Sequence, residues 1–236
     1  GLFFKTDGTQ MYMLGDQAND VTEYSLSTAW DVGTATFSQR SGTLADNAPS
    51  GISFKPDGTR MYIIGTTNDR VYEYSLSTAW DITTLSLVRN FLVSGQETNP
   101  GGLYFKPDDG TKMYVCGNTP TGGQVHEYSL STGWDISTAS FVQTFSVSSQ
   151  ESSPEGVSFK SDDGTKMFIA GWASDAVHEY SLSTGWDLST ATFVQTFSIR
   201  TESTLNTGLF MKDDGTAFYT TDSSQDRIFT YSIGEQ

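Results

Sequence analysis

The chain has 236 residues, 28 acidic against 13 basic side chains, and a formal net charge of −15 at pH 7. So acidic a chain lacks the Lys and Arg that displace counterions from a phosphate backbone, which excludes nucleic acid as a partner. No apolar run approaches the ~18 residues that span a bilayer, so we expect no membrane span. The 32 Thr, 30 Ser and 13% aromatic residues favour strands over helices.

Five similar segments recur along the chain, and each begins at a glycine. The first reads GLFFKTDGTQMYMLG, and the copies start at Gly1, Gly51, Gly102, Gly156 and Gly208. A second block, such as VYEYSLSTAWD, follows each copy and is shortened to IFTYSIGEQ in the last one. A third block, such as ATFVQTFSIRTE, follows only the first four copies. This repetition predicts one array of like structural units.

Each repeat divides into four short strands, designated A to D. An Asp-Gly turn connects strand A (Gly-Leu-x-Phe-Lys) to strand B (Met-Tyr-x-x-Gly), as is typical of a β-hairpin. Strand C is Val-x-Glu-Tyr-Ser-Leu, and a Ser-Thr-x-Trp-Asp corner leads into strand D, for example Phe141 to Phe145. No helical period occurs. Four antiparallel strands in about 50 residues predict a propeller blade.

The sequence therefore predicts an all-β fold, a five-bladed β-propeller with four four-stranded blades and one three-stranded last blade. A single domain spans 1–236, with blades at 1–50, 51–101, 102–155, 156–207 and 208–236. The last copy has no strand D, and no such block precedes Gly1 here. We expect a monomer whose ring closes by packing of blade five against blade one. The alternative is strand exchange, in which a neighbouring chain supplies the missing strand at the open edge.

The segments FKPDGTRMYIIG (Phe54–Gly65) and VYEYSLSTAWD (Val71–Asp81) resemble the SPDG…YV and NHL-type repeats of β-propellers. They also resemble the highly repetitive propellers of environmental bacteria and their phages. The resemblance covers essentially the whole chain and implies the propeller fold. It implies no activity, because propellers host enzymes, lectins and scaffolds alike.

Comparison between the repeats separates structural from functional candidates. A residue that is present in every blade serves the fold, whereas a residue that breaks the pattern is a better functional candidate. Strand C carries a glutamate in the first four blades, and we expect a polar residue of strand B to lie opposite it. The pairs are Gln10 and Glu23, Arg60 and Glu73, Lys112 and Glu127, and Lys166 and Glu179. Blade five has Ala217 and Thr230 at these positions. Joint loss of both residues predicts a cross-strand pair, with two unrelated surface changes as the alternative.

The turn aspartates and the two histidines are the candidate metal ligands of the sequence. The turn aspartates are Asp7, Asp57, Asp108, Asp109, Asp162, Asp163, Asp213 and Asp214. Hairpin chemistry explains them, whereas a calcium loop would need further ligands at later positions. His126 and His178 share one position of strand C, where we expect packing between blades, and Cys116 has no disulfide partner. We expect no metal and no cofactor, with calcium at the turns left as an alternative.

Tryptophan supplies the candidate binding residues. Trp30, Trp80, Trp134 and Trp186 occupy identical corners, each followed by Asp. They are read either as packing between blades or as stacking surfaces for a glycan. Trp172 differs, because it lies in the loop between strands B and C of blade four, where the other blades have Asp16, Thr66, Asn118 and Ser223. A unique aromatic residue in a variable loop is the best single candidate for contact with a partner.

The function expected from these features is a non-catalytic binding module that recognises a glycan or a protein surface at several similar sites. The alternatives are a purely structural module of a larger surface or virion-associated protein, and a calcium-dependent or enzymatic propeller. No Gly-x-Ser-x-Gly element occurs, so we expect no catalysis. An extracellular or virion-associated location is favoured.

Overall fold

The computed structural model describes residues 1–15, 18–203 and 205–233. Within these residues, nineteen strands form five antiparallel sheets, four with four strands and one with three. The predicted five-bladed β-propeller is thereby confirmed. No helix in the described part of the chain is long and apolar enough to cross a membrane.

Each blade is a meander of successive strands, in the order A, B, C and D. Blade one comprises β1 (Leu2–Phe4), β2 (Gln10–Gly15), β3 (Asp20–Leu26) and β4 (Ala35–Arg40). Blade two comprises β5 (Pro49–Phe54), β6 (Arg60–Gly65), β7 (Arg70–Leu76) and β8 (Leu85–Leu92). Blade three comprises β9 (Pro100–Phe105), β10 (Lys112–Gly117), β11 (Gln124–Leu130) and β12 (Ala139–Ser146). Blade four comprises β13 (Pro154–Phe159), β14 (Lys166–Gly171), β15 (Ala176–Leu182) and β16 (Ala191–Ser198). Blade five comprises β17 (Asn206–Met211), β18 (Ala217–Asp222) and β19 (Arg227–Ser232).

A single turn of 3-10 helix leads into each strand D. The four turns are Val32–Thr34, Ile82–Thr84, Ile136–Thr138 and Leu188–Thr190. The aspartate that follows each corner tryptophan caps its turn; Asp81, for example, accepts a hydrogen bond from the backbone N–H of Thr83 at 3.0 Å. The corner aspartates that the sequence repeats thus have a local structural role.

The A strands surround the axis and close the ring. β5, β9, β13 and β17 pack in succession, and β1 packs against both β5 and β17. Blade five meets blade one through side chains rather than a shared sheet: Tyr219 Oη donates a hydrogen bond to the carbonyl of Trp30 at 2.9 Å. The ring therefore closes by packing of blade five against blade one, as expected. A–B turns and C–D corners share one face, called here the turn face, and B–C and D–A loops share the other, called the loop face.

The strand B tyrosine of one blade hydrogen-bonds to the corner tryptophan carbonyl of the next. The bonds run from Tyr12 to Trp80 (3.0 Å), from Tyr62 to Trp134 (2.6 Å) and from Tyr114 to Trp186 (2.6 Å). Blade four instead has Phe168 at this position, and the blade that it faces has no corner tryptophan. The absent hydroxyl thus matches the absent acceptor.

We expect Phe168→Tyr to lower the free energy of unfolding by about 1–2 kcal/mol, because it buries a hydroxyl that has no corner-tryptophan carbonyl to receive it in the described part of blade five. Tyr114→Phe, the converse change in blade three, should cost about 1 kcal/mol through loss of its bond to Trp186. Urea denaturation measures both variants. A Phe168→Tyr protein as stable as the parent would contradict this pairing of blades.

Candidate functional site

The four corner tryptophans lie in the packing between blades. The ring of Trp80 stacks on Phe54 of its own blade at 5.4 Å and on Tyr12 of blade one at 6.2 Å, measured between ring centroids. Its indole also covers Gly58, where a Cβ would lie 2.4 Å from the ring. Trp30, Trp134 and Trp186 lie over Gly8, Gly110 and Gly164 in the same way. Of the two interpretations of these residues, packing describes their surroundings.

Five of the eight turn aspartates make the same local contacts. Asp7, Asp57, Asp109, Asp163 and Asp214 each accept bonds from the backbone N–H and hydroxyl of the threonine two residues later. These bonds, from the backbone and side chain of Thr165, lower the pKa of Asp163 to about 2. The described residues contain no group of three or more His, Cys, Asp or Glu arranged to hold a metal ion.

The predicted pairing of strand B with the strand C glutamate is confirmed, although the partners are diagonal rather than directly opposite. Lys112 lies opposite Ser129 in the register, and its Nζ reaches Glu127 Oε1 at 2.6 Å. Strand D extends this network, because Gln143 donates both to Glu127 at 2.8 Å and to Asp187 of the next blade at 2.9 Å. The glutamates therefore join adjacent blades.

Buried carboxylates that are not among the residues predicted from the sequence hold the loops of the loop face together. Glu151 is fully buried in the loop before β13 and accepts bonds from the backbone N–H groups of Ser153 (2.7 Å), Ala173 (3.3 Å) and Ser174 (3.1 Å). Asp46 and Glu97 have the same role in the loops before β5 and β9. Each carboxylate thus ties a D–A loop to a B–C loop.

A signal for these carboxylates was present in the sequence. In the blades whose D–A loop carries the acid, strand B ends in a glycine: Gly65, Gly117 or Gly171. Glycine is needed there because a side chain would collide with the acid; a Cβ at Gly65, for example, would lie 2.3 Å from Asp46 Cγ. Blade five reverses the arrangement: Asp222 ends strand B, and the loop carries Ser203, whose hydroxyl donates to Asp222 at 2.8 Å. The acid thus moves from the loop to the end of strand B and a small residue takes the other position, and this correlated change reveals the contact between the two positions.

The two histidines belong to these carboxylate clusters. His126 Nε2 lies 3.6 Å from Glu97 Oε2, and His178 Nε2 lies 2.9 Å from the hydroxyl of Ser174, which donates to Glu151 at 2.6 Å. Burial lowers the pKa of His178 and so favours its neutral form. Both histidines therefore help to hold the loops between blades.

Trp172 lies on this loop face with 49% of its surface exposed. The corresponding Asp16 of blade one lies outside the described residues. Near Trp172, burial raises the pKa of Glu155 to about 7, while the amino terminus and a hydrogen bond from Trp172 oppose the shift. An aromatic ring beside a carboxyl group at the end of the axis is thus available to a partner.

A cleft of about 940 Å³ separates blade five from blade one and reaches the axis at Glu155. Met13, Tyr24 and Val32 line it on blade one, and Arg227 and Ile228 line it on blade five. These three blade-one positions are partly exposed, whereas their counterparts in the next three blades are buried. The counterparts are Ile63, Val115 and Ile169 for Met13; Tyr74, Tyr128 and Tyr180 for Tyr24; and Ile82, Ile136 and Leu188 for Val32.

Strand D, which only blade five lacks among the described sheets, explains this difference. In the interfaces that follow blades two, three and four, strand D packs a phenylalanine against the next blade, and an aliphatic residue beyond it is buried there. These pairs are Phe91 and Val93, Phe145 and Val147, and Phe197 and Ile199. The cluster between blades five and one has no such residue among its described members. The part of the cleft beside β19 is therefore the space that strand D fills in the other blades.

Comparison with known proteins supports the assignment of the fold and gives no information on the activity. No protein-family model matches the chain, and no curated protein matches it. The resemblance to SPDG…YV and NHL-type repeats accordingly rests on the motifs alone.

Solved structures align with nearly the whole chain. A functionally unknown protein from Desulfotomaculum acetoxidans has 11% identity and a TM-score of 0.56, over 99% of this chain and 65% of its own. A protein from Bacteroides fragilis, named as a proposed 6-phosphogluconolactonase, has 14% identity and a TM-score of 0.60, over 99% and 79%. A chain of a nidogen–laminin complex has 12% identity and a TM-score of 0.63, over 99% and 75%. This chain spans less than two thirds of two of these structures: 65% of the Desulfotomaculum acetoxidans protein and 66% of a protein from Lactobacillus plantarum.

Proposed function

We propose that this propeller is a non-catalytic interaction module that binds an extended protein segment as the fourth strand of blade five. The observation that carries the proposal is the exposure of Met13, Tyr24 and Val32, whose counterparts in the complete blades lie beneath the preceding strand D. β19 borders this cleft and has a described neighbour, β18, on one side only. Unpaired N–H and C=O groups of such an edge are available to an added strand.

The polar contacts of the complete interfaces indicate which side chains the added segment needs. In three complete interfaces, a strand D side chain donates to the corner aspartate of the next blade: Gln39 to Asp81, Arg89 to Asp135, and Gln143 to Asp187. Asp31, the corner aspartate of blade one, receives no such donor from blade five within the described residues. The expected segment is therefore extended, with an apolar residue for the cleft and Gln or Arg facing Asp31.

The segment of residues 191–200 (ATFVQTFSIR), which contains strand D of blade four, is a suitable probe. We expect the labelled peptide to bind with micromolar affinity, measured by fluorescence anisotropy. A peptide with proline at the positions of Gln195 and Thr196, which pair with Glu179 and His178 in blade four, should not bind, because it cannot donate the ladder hydrogen bonds. Absence of binding by the unmodified peptide at millimolar concentration would refute the proposal.

Matched substitutions in the protein locate the site. Val32→Asp places a carboxylate in the cleft and should weaken peptide binding by about tenfold or more. Val142→Asp makes the same change on the outer surface of β12, where Val142 is 47% exposed, and should leave binding unchanged. Equal effects of the two variants would contradict binding in the cleft. Light scattering shows in the same samples whether a second copy occupies the edge or the protein is a monomer.

The proposal agrees with the use of this fold in one structural neighbour, which belongs to a nidogen–laminin complex. Glycan stacking by the four corner tryptophans is less favoured, because those rings contact neighbouring blades. Trp172, exposed beside Glu155, favours a second candidate, contact with a glycan or protein surface at the loop face. A glycan array probed with the parent and Trp172→Ala tests it: a signal lost in the variant supports this candidate, and an array without signal rejects the glycan form.

A further inference from the structure

A second cavity lies on the axis at the turn face, away from the cleft. Its volume is about 390 Å³, which suits a small ligand. Its wall includes aromatic rings from the A strands of four blades: Phe3, Phe54, Tyr104, Phe105 and Phe210. Phe3 contacts rings of both neighbouring blades: its ring centroid lies 5.1 Å from that of Phe54 and 5.5 Å from that of Phe210. The cavity is thus a preformed aromatic depression.

The carboxylates at this cavity are those that break the repeat. Five of the eight turn aspartates make the Asp–Thr turn contacts present in every blade, as described above. The other three, Asp108, Asp162 and Asp213, occur only in blades three, four and five, and all three line the cavity. The pattern of the turns does not require them, so their convergence on one cavity indicates a ligand.

The aromatic lining also departs from the repeat. The residue before the final aromatic or methionine of strand A is Phe3, Tyr104 or Phe210 in blades one, three and five, but Ser53 or Ser158 in blades two and four. A serine therefore satisfies the fold at this position in two blades. The three larger rings and Ser53 line the cavity, while Ser158 does not.

The charged residues that line the cavity are all acidic. No lysine or arginine lines it among the described residues. Lys106 lies 3.2 Å from Asp108 and Lys160 lies 3.2 Å from Asp162, but each also pairs with its turn aspartate. Lys212 pairs with Asp214 at 2.6 Å, which leaves Asp213 without an ion pair in the described structure. Partial burial and the charge of Asp214 raise the pKa of Asp213, although the residue retains solvent exposure.

We propose that the axial cavity of the turn face binds a small organic cation, a quaternary ammonium group held over the rings of Phe3, Tyr104 and Phe210 and neutralised by Asp213, Asp108 and Asp162. Aromatic faces attract a cation that carries apolar substituents, and nearby carboxylates provide the opposite charge. A hydrated inorganic ion would gain nothing from the rings, and an anion would be repelled.

Choline and its neutral carbon isostere, in which a tert-butyl group replaces trimethylammonium, have the same shape and differ in charge. Comparing their affinities therefore distinguishes the contribution of the charge from that of the shape. We expect choline to bind in the millimolar range or tighter, with shifts of the Tyr104 and Phe210 ring resonances in NMR titration. The isostere should bind about fivefold more weakly or not at all. Equal binding of both compounds, or no binding of choline, would overturn the proposal.

Matched variants test the assigned carboxylate. Asp213→Asn should weaken choline binding about fivefold or more. Asp226→Asn changes the net charge equally, at an exposed position outside the cavity where the positive φ of 52° suits Asn, and should leave binding unchanged. Equal loss in both variants would show a general charge effect and overturn the site. Titration with trimethyllysine and with phosphatidylcholine vesicles distinguishes a protein side chain from a lipid headgroup, and binding of either supports the site.

Discussion

Gly58→Ala is expected to lower the free energy of unfolding by about 3 kcal/mol, the larger part from collision with Trp80. The new Cβ would lie 2.4 Å from Cδ1 and Nε1 of the indole, and the residue also has a positive φ of 72°. The ring has little room to move away, because it is stacked on Phe54 and its backbone carbonyl accepts the hydrogen bond of Tyr12. Urea denaturation measures the change, with an unaltered m-value showing that two-state unfolding persists.

Blade five provides the control for this substitution. Gly215 occupies the equivalent turn with a φ of 70°, but a Cβ there would have no atom within 4 Å, because the described blade has no corner tryptophan. Gly215→Ala should therefore cost only the backbone penalty, about 1 kcal/mol. The difference between the two variants measures the contact with the indole. Equal losses of stability would mean that the corner tryptophans contribute little to the turns.

Removal of the Glu151 carboxylate should have an effect of similar or greater size. In Glu151→Ala, the N–H groups of Ser153, Ala173 and Ser174 lose their buried acceptor, and we expect a loss of about 3–5 kcal/mol. Glu151→Gln retains an acceptor oxygen and should lose less. Denaturation gives the totals, and hydrogen exchange at Ala173 and Ser174 should accelerate most. Unchanged protection of these two amides would contradict the anchoring role of Glu151.

Glu155 is the matched control, because it is four residues away on the same face. Burial raises the pKa of Glu155 from its ordinary value of 4.5 to about 7. The folded chain then binds this proton more tightly than the unfolded chain, so its contribution is present below pH 4.5 and is lost as pH rises to 7. Glu155→Ala should therefore cause no comparable loss at pH 8 and should flatten the fall in stability across this range.

The turns and strands were predictable because their signals are local. The Asp-Gly turns, the strand B tyrosines and the corner Trp-Asp pairs each recur at fixed positions within about 50 residues. The pairing of Lys112 with Glu127 could be inferred from its loss at Ala217 and Thr230, since both residues lie in one hairpin. The shift of the acid to Asp222, with Ser203 in the loop, is a signal of the same kind between positions that lie farther apart in the chain.

The exposed site at blade five could be predicted only in outline. Absence of strand D from the last repeat indicated an open edge, but the sequence did not show that Val32 and Tyr24 of blade one lie beneath it. The axial cavity was also missed, because three aspartates that look like ordinary turn residues converge only after blades three, four and five are placed around one axis. Residues from different repeats carry no mark of such convergence.

By itself the sequence determined the type of blade, the number of blades and the incomplete last sheet, since each hairpin forms from residues that are neighbours in the chain. Only the tertiary structure decided which face of each blade meets the next. Tyr62 reaches a carbonyl 72 residues away, and Tyr219 reaches one 189 residues away. Such contacts depend on the twist and tilt of whole sheets around the axis, which repeat spacing does not specify. The same geometry leaves uncovered, between blades five and one, the apolar surface that strand D buries at the other interfaces.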